Sequence, residues 1–351
     1  MNKEKILIFN ISTDSNNTSL GFAINWLNQL SEYYIEIDVV TLNEGATHML
    51  NDNINVYSHD SVNTNKITKF ISLRKIIKNL LKNNEYRFCL SHMTTSLTLV
   101  SSTIFRFTNL QSILWYTHKG PTTFIKKIVL YLGALFSDRI ITASESSFPL
   151  RFKKVTSIGH AINYEDFYRS RINTESKDFL ILSRISRSKN IDESIQGFLN
   201  SVYGEKQSIT IVGGPLTKQD IEYESYLKNK YSKYPNIRFA GSIPHPNLNT
   251  YIDKTGFHIN NTPKGFYDKS VLETLSGGII NFYMNSEYDK NIHPEYLNIL
   301  KFDGTKDDLT KSINLISKLE KDLLLEIIQF SQEKVKDESL KTLHHRILKV
   351  I

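Results

Sequence analysis

Two short segments of the chain carry charged side chains whose types and spacing could bind one ligand together. Arg184 and Lys189 lie in the loop that follows an apolar stretch, and Glu273 lies in the first turns of a later helix, after a glycine-containing loop. Arginine and lysine bind phosphate oxygens, and the amides of a helix N-terminus form an anion site. A carboxylate suits a sugar hydroxyl. The combination therefore indicates a ligand with a diphosphate and a sugar.

The helices that follow these loops are expected to orient the charges. Asn190 with Glu193 three residues later resembles a capping box, which predicts that a helix begins directly after Lys189. Lys269 and Glu273 are four residues apart and so share one face of their helix. Each segment alone also fits a simpler interpretation, a solvated loop or a glutamate that stabilises a helix N-terminus. Only the combination favours a binding site.

Length and composition favour a globular protein of two domains. The chain has 351 residues, 40% of them hydrophobic and 23% charged, and a domain commonly contains about 150 residues. Its single cysteine, Cys89, lies in an apolar run and is expected to be a buried thiol in a reducing compartment. The N-terminus has no signal-peptide pattern, and no segment approaches about 18 consecutive apolar residues. We therefore expect a cytoplasmic protein.

Positive charge is concentrated in two segments that also contain many apolar residues. The net charge is +7, and residues 66–87 and 126–132 combine lysines or arginines with aliphatic side chains. Such helices can lie on an anionic membrane surface, which would place the protein at the inner face of the cell membrane. The alternative is a solvated helix whose apolar side packs on a sheet. Nucleic acid is not an expected partner, because no recognition motif accompanies the charge.

Short β-type runs alternate with helical periods along most of the chain, which predicts parallel sheets with crossover helices. The predicted strands are 6–11, 35–42, 55–58, 87–93, 112–118, 139–143, 154–159, 179–184, 208–212, 237–240, 257–260 and 279–283. The predicted helices are 20–30, 67–81, 124–136, 191–199, 221–231 and 270–275, with more helix from residue 309 onward. Residues 161–177 are polar and aperiodic, and we expect them to link two domains. The fold class is therefore α/β, with two Rossmann-like, doubly wound domains that face a cleft.

Several histidines are candidates for contacts in that cleft. His118 closes a predicted strand, and a neutral imidazole there could donate a hydrogen bond to a sugar hydroxyl or a diphosphate. A structural hydrogen bond at the strand end is the alternative. His92 occupies a similar position, and His160 is expected at the face between the domains. His344 and its neighbour are expected to be structural, and the spacings do not resemble a metal site.

The order and spacing of four segments resemble the family 4 retaining glycosyltransferases of GT-B fold. These segments are residues 179–189, 211–215, 237–243 and 272–278. In the first half, residues 20–26, 90–93, 114–119 and 158–162 look like a bacterial subset associated with surface-polysaccharide synthesis. Each motif alone is weak, whereas the ordered set is specific and the resemblance covers most of the chain.

The resemblance implies a role for each part of the chain. Residues 1–165 would form a Rossmann-like acceptor domain, 166–332 a Rossmann-like nucleotide-sugar domain, and 333–351 a helix crossing back to the first. Arg184 and Lys189 would match the family's diphosphate-binding pair, Glu273 the glutamate that holds the ribose, and residues 241–243 the contacts to the base. No metal and no cofactor are implied. The implied catalytic residues are His118, Arg184 and Lys189; those that bind the donor are Arg184, Lys189, Gly213, Gly214, Ile243, Asp268, Lys269, Ser270, Val271, Leu272 and Glu273; those at the acceptor or between the domains are Gly21, His92 and His160.

One position departs from the family pattern. Gly265 stands eight residues before Glu273, where the motif's first glutamate contacts the donor sugar. Asp268 or Lys269 is the expected replacement for that contact, and a structural role is the alternative. The missing glutamate also favours a second interpretation, a non-catalytic GT-B subunit that binds the donor or a partner transferase. A sugar-nucleotide epimerase of the same fold would need acidic and basic groups around the sugar that the sequence does not reveal.

The expected reaction is transfer of a sugar, with retention, from a UDP- or GDP-linked donor to a glycan or lipid-linked glycan. No pair of residues supplies a nucleophile and an acid on opposite faces of a sugar. The resemblance implies front-face displacement, in which the leaving diphosphate helps to deprotonate the acceptor. Catalysis would then consist of positioning the reactants and stabilising charge.

Overall fold

The protein forms two compact units in a computed structural model that describes residues 4–17, 20–59, 65–117, 120–170, 172 and 174–351. The first unit comprises Met1–Ala161 and Leu340–Ile351, and the second comprises Ile162–Ser339. The first unit therefore contains two separate stretches of the chain, and the second unit is formed by the stretch between them.

The first unit contains a parallel sheet whose central strands are almost fully buried. Within the described residues the sheet has seven strands in the order β3-β2-β1-β4-β5-β6-β7. Both faces are covered, and parallel strands buried on both faces form continuous apolar runs, which is why the sequence located them. The strands are β1 (Lys5–Thr13), β2 (Glu36–Glu44), β3 (Ile54–Tyr57), β4 (Phe88–His92), β5 (Gln111–Trp115), β6 (Arg139–Thr142) and β7 (Val155–Ser157).

The crossover helices of this unit are α1 (Ala23–Ser31), α2 (Lys66–Asn83), α3 (Thr95–Thr108) and α4 (Phe124–Phe136). The sequence analysis missed α3, because its segment is rich in threonine, serine and other residues of low helix propensity. Tertiary packing stabilises this helix instead: Leu97 and Phe105 are buried in the cluster that also contains Leu73 and Ile77 of α2. Helix α1 begins at residue 23 rather than 20, because the preceding residues form a turn.

The second unit repeats the architecture with a smaller sheet. Its described residues form five parallel strands in the order β10-β9-β8-β11-β12. The strands are β8 (Phe179–Leu182), β9 (Ile209–Val212), β10 (Ile237–Gly241), β11 (Phe257–Asn260) and β12 (Ile280–Tyr283). The predicted α/β class, with two parallel sheets, is confirmed.

The helices of the second unit connect its strands and continue after the last one. They are α5 (Tyr164–Phe167), α6 (Ile191–Leu199), α7 (Lys218–Lys230), α8 (Asn249–Ile252), α9 (Lys269–Ser276), α10 (Leu297–Leu300), α11 (Lys306–Ile316) and α12 (Lys321–Lys336). The short α5 lies inside the segment that the sequence analysis described as an aperiodic link. Its Phe167 is buried with Leu180 and Leu182 of β8, so this stretch belongs to the core of the unit.

The end of the chain is part of the first unit's core. A last helix, α13 (Leu343–Leu348), follows a 3-10 turn, Leu340–Thr342. Leu343 and Ile347 are buried in the cluster that contains Trp26 of α1 and Ile37 of β2. This cluster joins α1 and α13 to the sheet, so the terminal residues contribute to the stability of the first unit.

Shortening Leu343 to alanine should destabilise the first unit. We expect Leu343→Ala to lower the free energy of unfolding by about 2 to 5 kcal/mol, because it leaves a cavity in a closed core. Denaturant titration of the intact chain, followed by tryptophan fluorescence, measures this loss, since both tryptophans lie in this unit. Lys349→Ala, at an exposed position near the same terminus, is the control. Equal midpoints for the two variants would contradict the assignment of the C-terminus to this core.

Candidate functional site

Glycines allow the loops after three neighbouring strands to approach one another at the carboxyl edge of the second sheet. Gly213, directly after β9, has φ +137°, and a Cβ there would lie 1.9 Å from the carbonyl oxygen of Ser183, which follows β8. The Gly213 amide donates to the carbonyl of Gly241, at the end of β10, over 2.8 Å. A Cβ at Gly214 would meet the hydroxyl of Ser242 at 2.3 Å. Any larger residue at 213 would separate these loops.

The loop after β8 presents the first cation of the predicted pair. The amide of Ser183 donates to the Val212 carbonyl, and that of Ile185 donates to the Gly214 carbonyl, both over 3.0 Å. The residue between them, Arg184, is therefore held by backbone bonds on both sides while its own side chain is exposed. An exposed guanidinium on a fixed backbone is available to a phosphate ligand at this sheet edge.

Lys189 is placed differently, because it is buried and already has a counter-ion. Its side chain is 8% exposed, and its Nζ lies 2.8 and 2.6 Å from the two carboxylate oxygens of Asp268. The hydroxyl of Thr262 and the amide group of Asn260 also donate to Asp268 Oδ2, at 3.0 and 3.2 Å. The ion pair therefore joins the turn before α6 to the residue that precedes α9. The structure brings together two of the predicted site residues that are far apart in sequence.

The predicted capping box at Asn190 is wrong, although the helix begins where it was expected. Asn190 has a left-handed backbone, with φ 45° and ψ 40°, and its side chain does not cap α6. Its amide group instead donates to the carbonyl of Asn261 over 3.2 Å, and Glu193 accepts from the amide of Lys306. Because the side chains of Asn190 and Glu193 both form these long-range hydrogen bonds, neither caps the start of α6. The asparagine thus becomes a second link between the turn before α6 and the end of β11.

Helix α9 begins without a bond from its N-cap side chain. Asp268 is the N-cap residue, but its carboxylate is directed to Lys189 rather than to the amides of the first turn. The backbone amide of Asp268 donates to the hydroxyl of Tyr288. Val271 and Leu272 are buried in the helix, and the hydroxyl of Ser270 is buried without a hydrogen-bond partner among the described residues. The start of α9 therefore retains polar groups that a ligand could engage.

Glu273 is buried one turn further along and is paired with a histidine that sequence reasoning missed. Its side chain is 6% exposed, and its Oε1 lies 3.0 Å from Nε2 of His245. This hydrogen bond raises the pKa of His245, while burial and the charge of Lys269 oppose the shift. The imidazole edge also packs against the ring of Phe167, with centroids 5.2 Å apart. Only the position of His245 beside the loop after β10 could have drawn attention to it.

Lys269 lies one turn before Glu273 on the same face of α9, as the spacing predicted. Burial lowers the pKa of Lys269, and the nearby carboxylate of Glu273 partly opposes this shift. Ile243, the second residue after β10, is half-buried against the apolar cluster of Leu182 and Val212. Its side chain supports the loop, so the part of Gly241–Ile243 that remains available to a ligand is the backbone.

A buried polar network fixes α9 on the sheet. His258, on β11, is completely buried, and its Nδ1 donates to Oδ1 of Asn281, on β12. The hydroxyl of Thr274 in α9 donates to the same oxygen over 2.9 Å, and the amide of Leu182 donates to Nε2 of His258. Burial lowers the pKa of His258 to about 4, so the ring is neutral at physiological pH. Because Thr274 adjoins Glu273, the network sets the position of that carboxylate.

The residues predicted for the acceptor lie at the corresponding edge of the first sheet. His92, at the end of β4, is buried, and its Nδ1 lies 3.1 Å from Oδ1 of Asn10 in β1. Its ring packs edge-on against Trp26 and Trp115, with centroids 5.1 and 5.0 Å away. Gly21 lies in the turn before α1, where a Cβ would come within 2.5 Å of the Asn17 carbonyl oxygen.

The remaining predicted residues are either buried or outside the described part of the chain. His160 is buried near the end of the first unit. His118 and its neighbour Lys119 lie outside the described residues. Within the residues that the structure describes, no group of three or more histidines, cysteines or carboxylates could hold a metal ion.

Comparison with known proteins identifies a family and several solved structures to which this chain is similar. The model of the glycosyl transferase 4-like family matches residues 15–144. No curated protein matches the chain in sequence. Among solved structures, Alr3699/HepE of Anabaena in complex with UDP and glucose has a TM-score of 0.73 and 13% identity, covering 99% of this chain and 98% of that one.

Two further structures agree with this comparison. A glycosyltransferase of Rickettsia africae ESF-5 gives a TM-score of 0.75 at 12% identity, over 100% of this chain and 98% of that one. The lipopolysaccharide outer core galactosyltransferase WaaB gives 0.65 at 11% identity, over 99% and 100%. The chain has the GT-B fold. The resemblance to family 4 glycosyltransferases of this fold is confirmed, and the residues that we predict to bind the donor lie in the second unit.

The His245–Glu273 pair should make the stability of the GT-B second unit depend on pH. The hydrogen bond raises the pKa of His245 in the folded state, so the pair contributes its full stability below the usual histidine pKa of about 6.5. This contribution is lost as the pH rises through the raised value. We therefore expect the difference in melting temperature between the protein and His245→Gln to be largest near pH 6 and to decrease towards pH 9.

Glu273→Gln provides the control for this pH series. In a protein that already carries Glu273→Gln, the further change His245→Gln should alter the melting temperature only slightly and equally at every pH. The reason is that the Glu273 carboxylate, which accepts the hydrogen bond from His245, is no longer there. A pH-dependent difference that survives in the Glu273→Gln background would assign the effect to another titrating group.

Replacing Asp268 should destabilise the second unit, because it leaves the buried Lys189 ammonium without its counter-ion. We expect Asp268→Asn to lower the free energy of unfolding by roughly 3 kcal/mol. Denaturant titration measures the change, and Asp307→Asn, at an exposed position in the first turn of α11, is the matched control. If Lys189→Met restores the stability of Asp268→Asn, the unpaired cation is the cause. Stability equal to that of the unmodified protein would show that the pair contributes nothing.

Proposed function

We propose that this protein is a retaining glycosyltransferase that moves a sugar from a UDP-linked donor to a glycan or lipid-linked glycan in surface-polysaccharide synthesis. The observation that carries the proposal is the continuous rim at the carboxyl edge of the second sheet. Along it lie the exposed Arg184, the buried Lys189, the glycine-supported loops after β9 and β10, and the buried Glu273. In parallel α/β sheets this edge is where ligands bind.

The choice of donor and product is supported by the structural relatives. HepE is described in complexes with UDP, with UDP and glucose, and with UDP-glucose. WaaB is a lipopolysaccharide outer core galactosyltransferase. These relatives favour a UDP-sugar over the GDP-sugar that the sequence left open, and they favour a surface glycan as the product. The proposal includes the expected location, in the cytoplasm at the inner face of the cell membrane.

In this proposal the two cations stabilise the departing diphosphate. Arg184 binds phosphate oxygens with its planar guanidinium, and Lys189 supplies a second charge from below the rim. Because Lys189 is paired with Asp268, its charge reaches the ligand only in part, so Arg184 provides the larger contribution. Electrostatic stabilisation of the charge that develops on the leaving group usually contributes most to catalysis in such transfers. The cations thereby take the place that a metal ion occupies in other transferases.

The remaining rim residues recognise the rest of the nucleotide. Glu273 accepts hydrogen bonds from the ribose hydroxyls, in exchange for or beside its bond from His245. The backbone of residues 241–243 contacts the base, Gly213 and Gly214 let the diphosphate approach, and the amides around Ser270 bind its oxygens. Lys269 contacts the donor sugar or a phosphate. Asp268 is less suited than Lys269 to contact the sugar, because its two carboxylate oxygens already accept hydrogen bonds from Lys189, Asn260 and Thr262.

The first unit would bind the acceptor. The edge of its sheet holds Gly21 and His92, with His160 and His118 assigned to the same role or to the donor sugar. Nδ1 of His92 lies 3.1 Å from Oδ1 of Asn10, which holds the ring at this edge, where it would contact an acceptor hydroxyl. Front-face displacement then needs no protein nucleophile, because the leaving oxygen assists the attacking hydroxyl.

A second candidate, a non-catalytic GT-B subunit, is favoured by one specific feature. Gly265 replaces the glutamate that contacts the donor sugar in the family pattern, and the nearest carboxylate in sequence, Asp268, is used in an ion pair. Such a protein would bind a nucleotide-sugar but would not transfer the sugar. Incubation with radiolabelled UDP-glucose or UDP-galactose and membrane lipid extract separates the two: labelled glycolipid supports the transferase, whereas binding without product supports the subunit.

Nucleotide binding should depend on the rim residues in a graded way. We expect UDP to raise the melting temperature, because a ligand that binds only the folded state stabilises it by mass action. Arg184→Ala should weaken UDP binding by roughly 10-fold or more, since a charge-assisted bond contributes about 1.5 to 3 kcal/mol. Glu273→Gln should weaken binding of UDP more than that of inorganic diphosphate, which lacks a ribose. Isothermal calorimetry gives these constants.

The control for these variants is Arg187→Ala, a nearby exposed arginine whose guanidinium lies over the ring of Tyr223, 5.1 Å from its centroid. It should bind UDP like the unmodified protein. Equal loss of binding in Arg187→Ala and Arg184→Ala would attribute the effect to general charge, and no loss in either would remove the phosphate site from this rim.

A further inference from the structure

The positive charge of the chain is concentrated on one part of the first unit. Residues 61–137 contain eleven lysines and arginines and a single acidic residue, Glu85. The whole chain has 43 basic and 36 acidic residues, so the remainder is acidic on balance. No aspartate or glutamate occurs between Glu85 and Asp138. This distribution is a property of one region rather than of the whole protein.

The fold gathers the three helices of this region into a single layer. Helices α2, α3 and α4 pack side by side over one face of the first sheet. The guanidinium of Arg74, on α2, donates to the Thr103 hydroxyl on α3 over 2.7 Å and to the Val100 carbonyl. Gly133 of α4 lies so close to α3 that a Cβ there would be 2.8 Å from the carbonyl oxygen of Thr95. The three helices therefore present one continuous outer surface, here called the α2–α4 face.

Large apolar side chains project from this face into solvent. Phe124 and Ile125, in the first turn of α4, are 76% and 74% exposed, and Ile67, in the first turn of α2, is 72% exposed. The exposed stripe along α4 follows a helical spacing of four, three and four residues. It consists of Phe124, Ile128, Tyr131 and Leu135, with Ile125 and Phe136 beside it. Exposed apolar patches of this kind mark interaction surfaces.

The charges among these side chains decide which partner fits. Lys126 and Lys127 are exposed in the same turns as Phe124 and Ile125, whereas lysine is depleted at the core of protein interfaces. A second copy of the chain would bring two copies of the same surface together, because a dimer with two-fold symmetry pairs identical patches. That would place like charges opposite each other. An acidic protein surface would match the lysines but would leave the phenylalanine and isoleucines without an apolar environment.

A bilayer interface satisfies both requirements at once. Apolar side chains of an amphipathic helix enter the boundary between headgroups and acyl chains, while lysines at the same depth extend to the headgroups. Cations near a surface of anionic lipids are attracted to it. Among the described residues, no helix is both long and apolar enough to cross a membrane. Helix α4, with its exposed apolar side chains and lysines, is therefore suited to lie in the plane of the interface.

We propose that the α2–α4 face docks the protein on an anionic lipid surface, with α4 lying in the interface through Phe124, Ile125 and Ile128. This docking does not depend on the donor site, because the residues on the nucleotide rim belong to the second unit. It supplies a physical reason for a lipid-linked acceptor, but either proposal can fail without the other.

Vesicle co-sedimentation tests the proposal with the intact chain. We expect binding to vesicles of phosphatidylcholine with about 30% phosphatidylglycerol, weak binding to pure phosphatidylcholine, and a decrease with added salt. Lys126→Glu with Lys127→Glu, and separately Phe124→Ser with Ile125→Ser, should each weaken binding roughly 10-fold or more. The matched controls lie in the second unit at exposed positions. Lys206→Glu with Lys318→Glu controls for charge, and Leu216→Ser with Ile221→Ser controls for apolar area.

A site-specific fluorophore identifies the segment that enters the lipid. The native Cys89 is fully buried, so Ile128→Cys can be labelled selectively with an environment-sensitive dye. Its emission should shift to the blue with anionic vesicles, whereas the same dye on Leu216→Cys should not respond. An unchanged melting temperature of every variant without ligand would exclude unfolding as the cause of lost lipid binding.

Three results would overturn the proposal. The first is unchanged vesicle binding in both α4 variants. The second is equal binding loss in the control variants. The third is self-association of the chain without lipid, measured by light scattering, that the α4 substitutions abolish, because this would make a second copy the occupant of the α2–α4 face.

Discussion

The ion pair between Lys189 and Asp268 is the interaction on which the second unit's rim depends. An ammonium group that is 8% exposed needs a counter-ion, because removing a charge from water is costly unless it is paired and hydrogen-bonded. Here the counter-ion is the residue that begins α9. The pair therefore sets the distance between the turn before α6 and the helix that carries Glu273. Thr262 and Asn260, at the end of β11, complete the bonds to the carboxylate.

Helix α9 is held from two sides by histidines whose pKa values are shifted in opposite directions. Under the helix, the neutral His258 connects β8, β11 and β12 to Thr274 through Asn281. Above it, His245 has a raised pKa because it donates to the buried carboxylate of Glu273. The inner histidine holds α9 through the same hydrogen bonds at any pH well above about 4, where its ring is neutral. The outer one makes the carboxylate sensitive to protonation and to any ligand that competes for the same oxygen.

Charge is distributed differently in the two units, and this separates their proposed roles. The rim of the second unit combines the exposed Arg184 with Lys189, whose charge is balanced by the carboxylate of Asp268. This combination suits a ligand with a limited negative charge. The α2–α4 face of the first unit has cations without nearby acids in sequence, together with exposed aromatic and aliphatic side chains. Nucleotide binding and lipid binding can therefore be measured and altered independently.

The sequence by itself determined the α/β class and the positions of the twelve strands found among the described residues, and it predicted the residues of the rim. Buried parallel strands are uninterrupted apolar runs, and the loops after them carry charged or glycine residues that have no structural use inside a sheet. Only the tertiary structure decided how these residues pair. Helix α3 has weak intrinsic propensity and forms because its apolar residues are buried, and Asn190 gives up its local cap to bind Asn261. His245 and Glu273 are 28 residues apart, and Lys189 and Asp268 are 79 apart. No local pattern encodes such contacts, because the partners meet only after β10 and β11 have taken their places in the sheet.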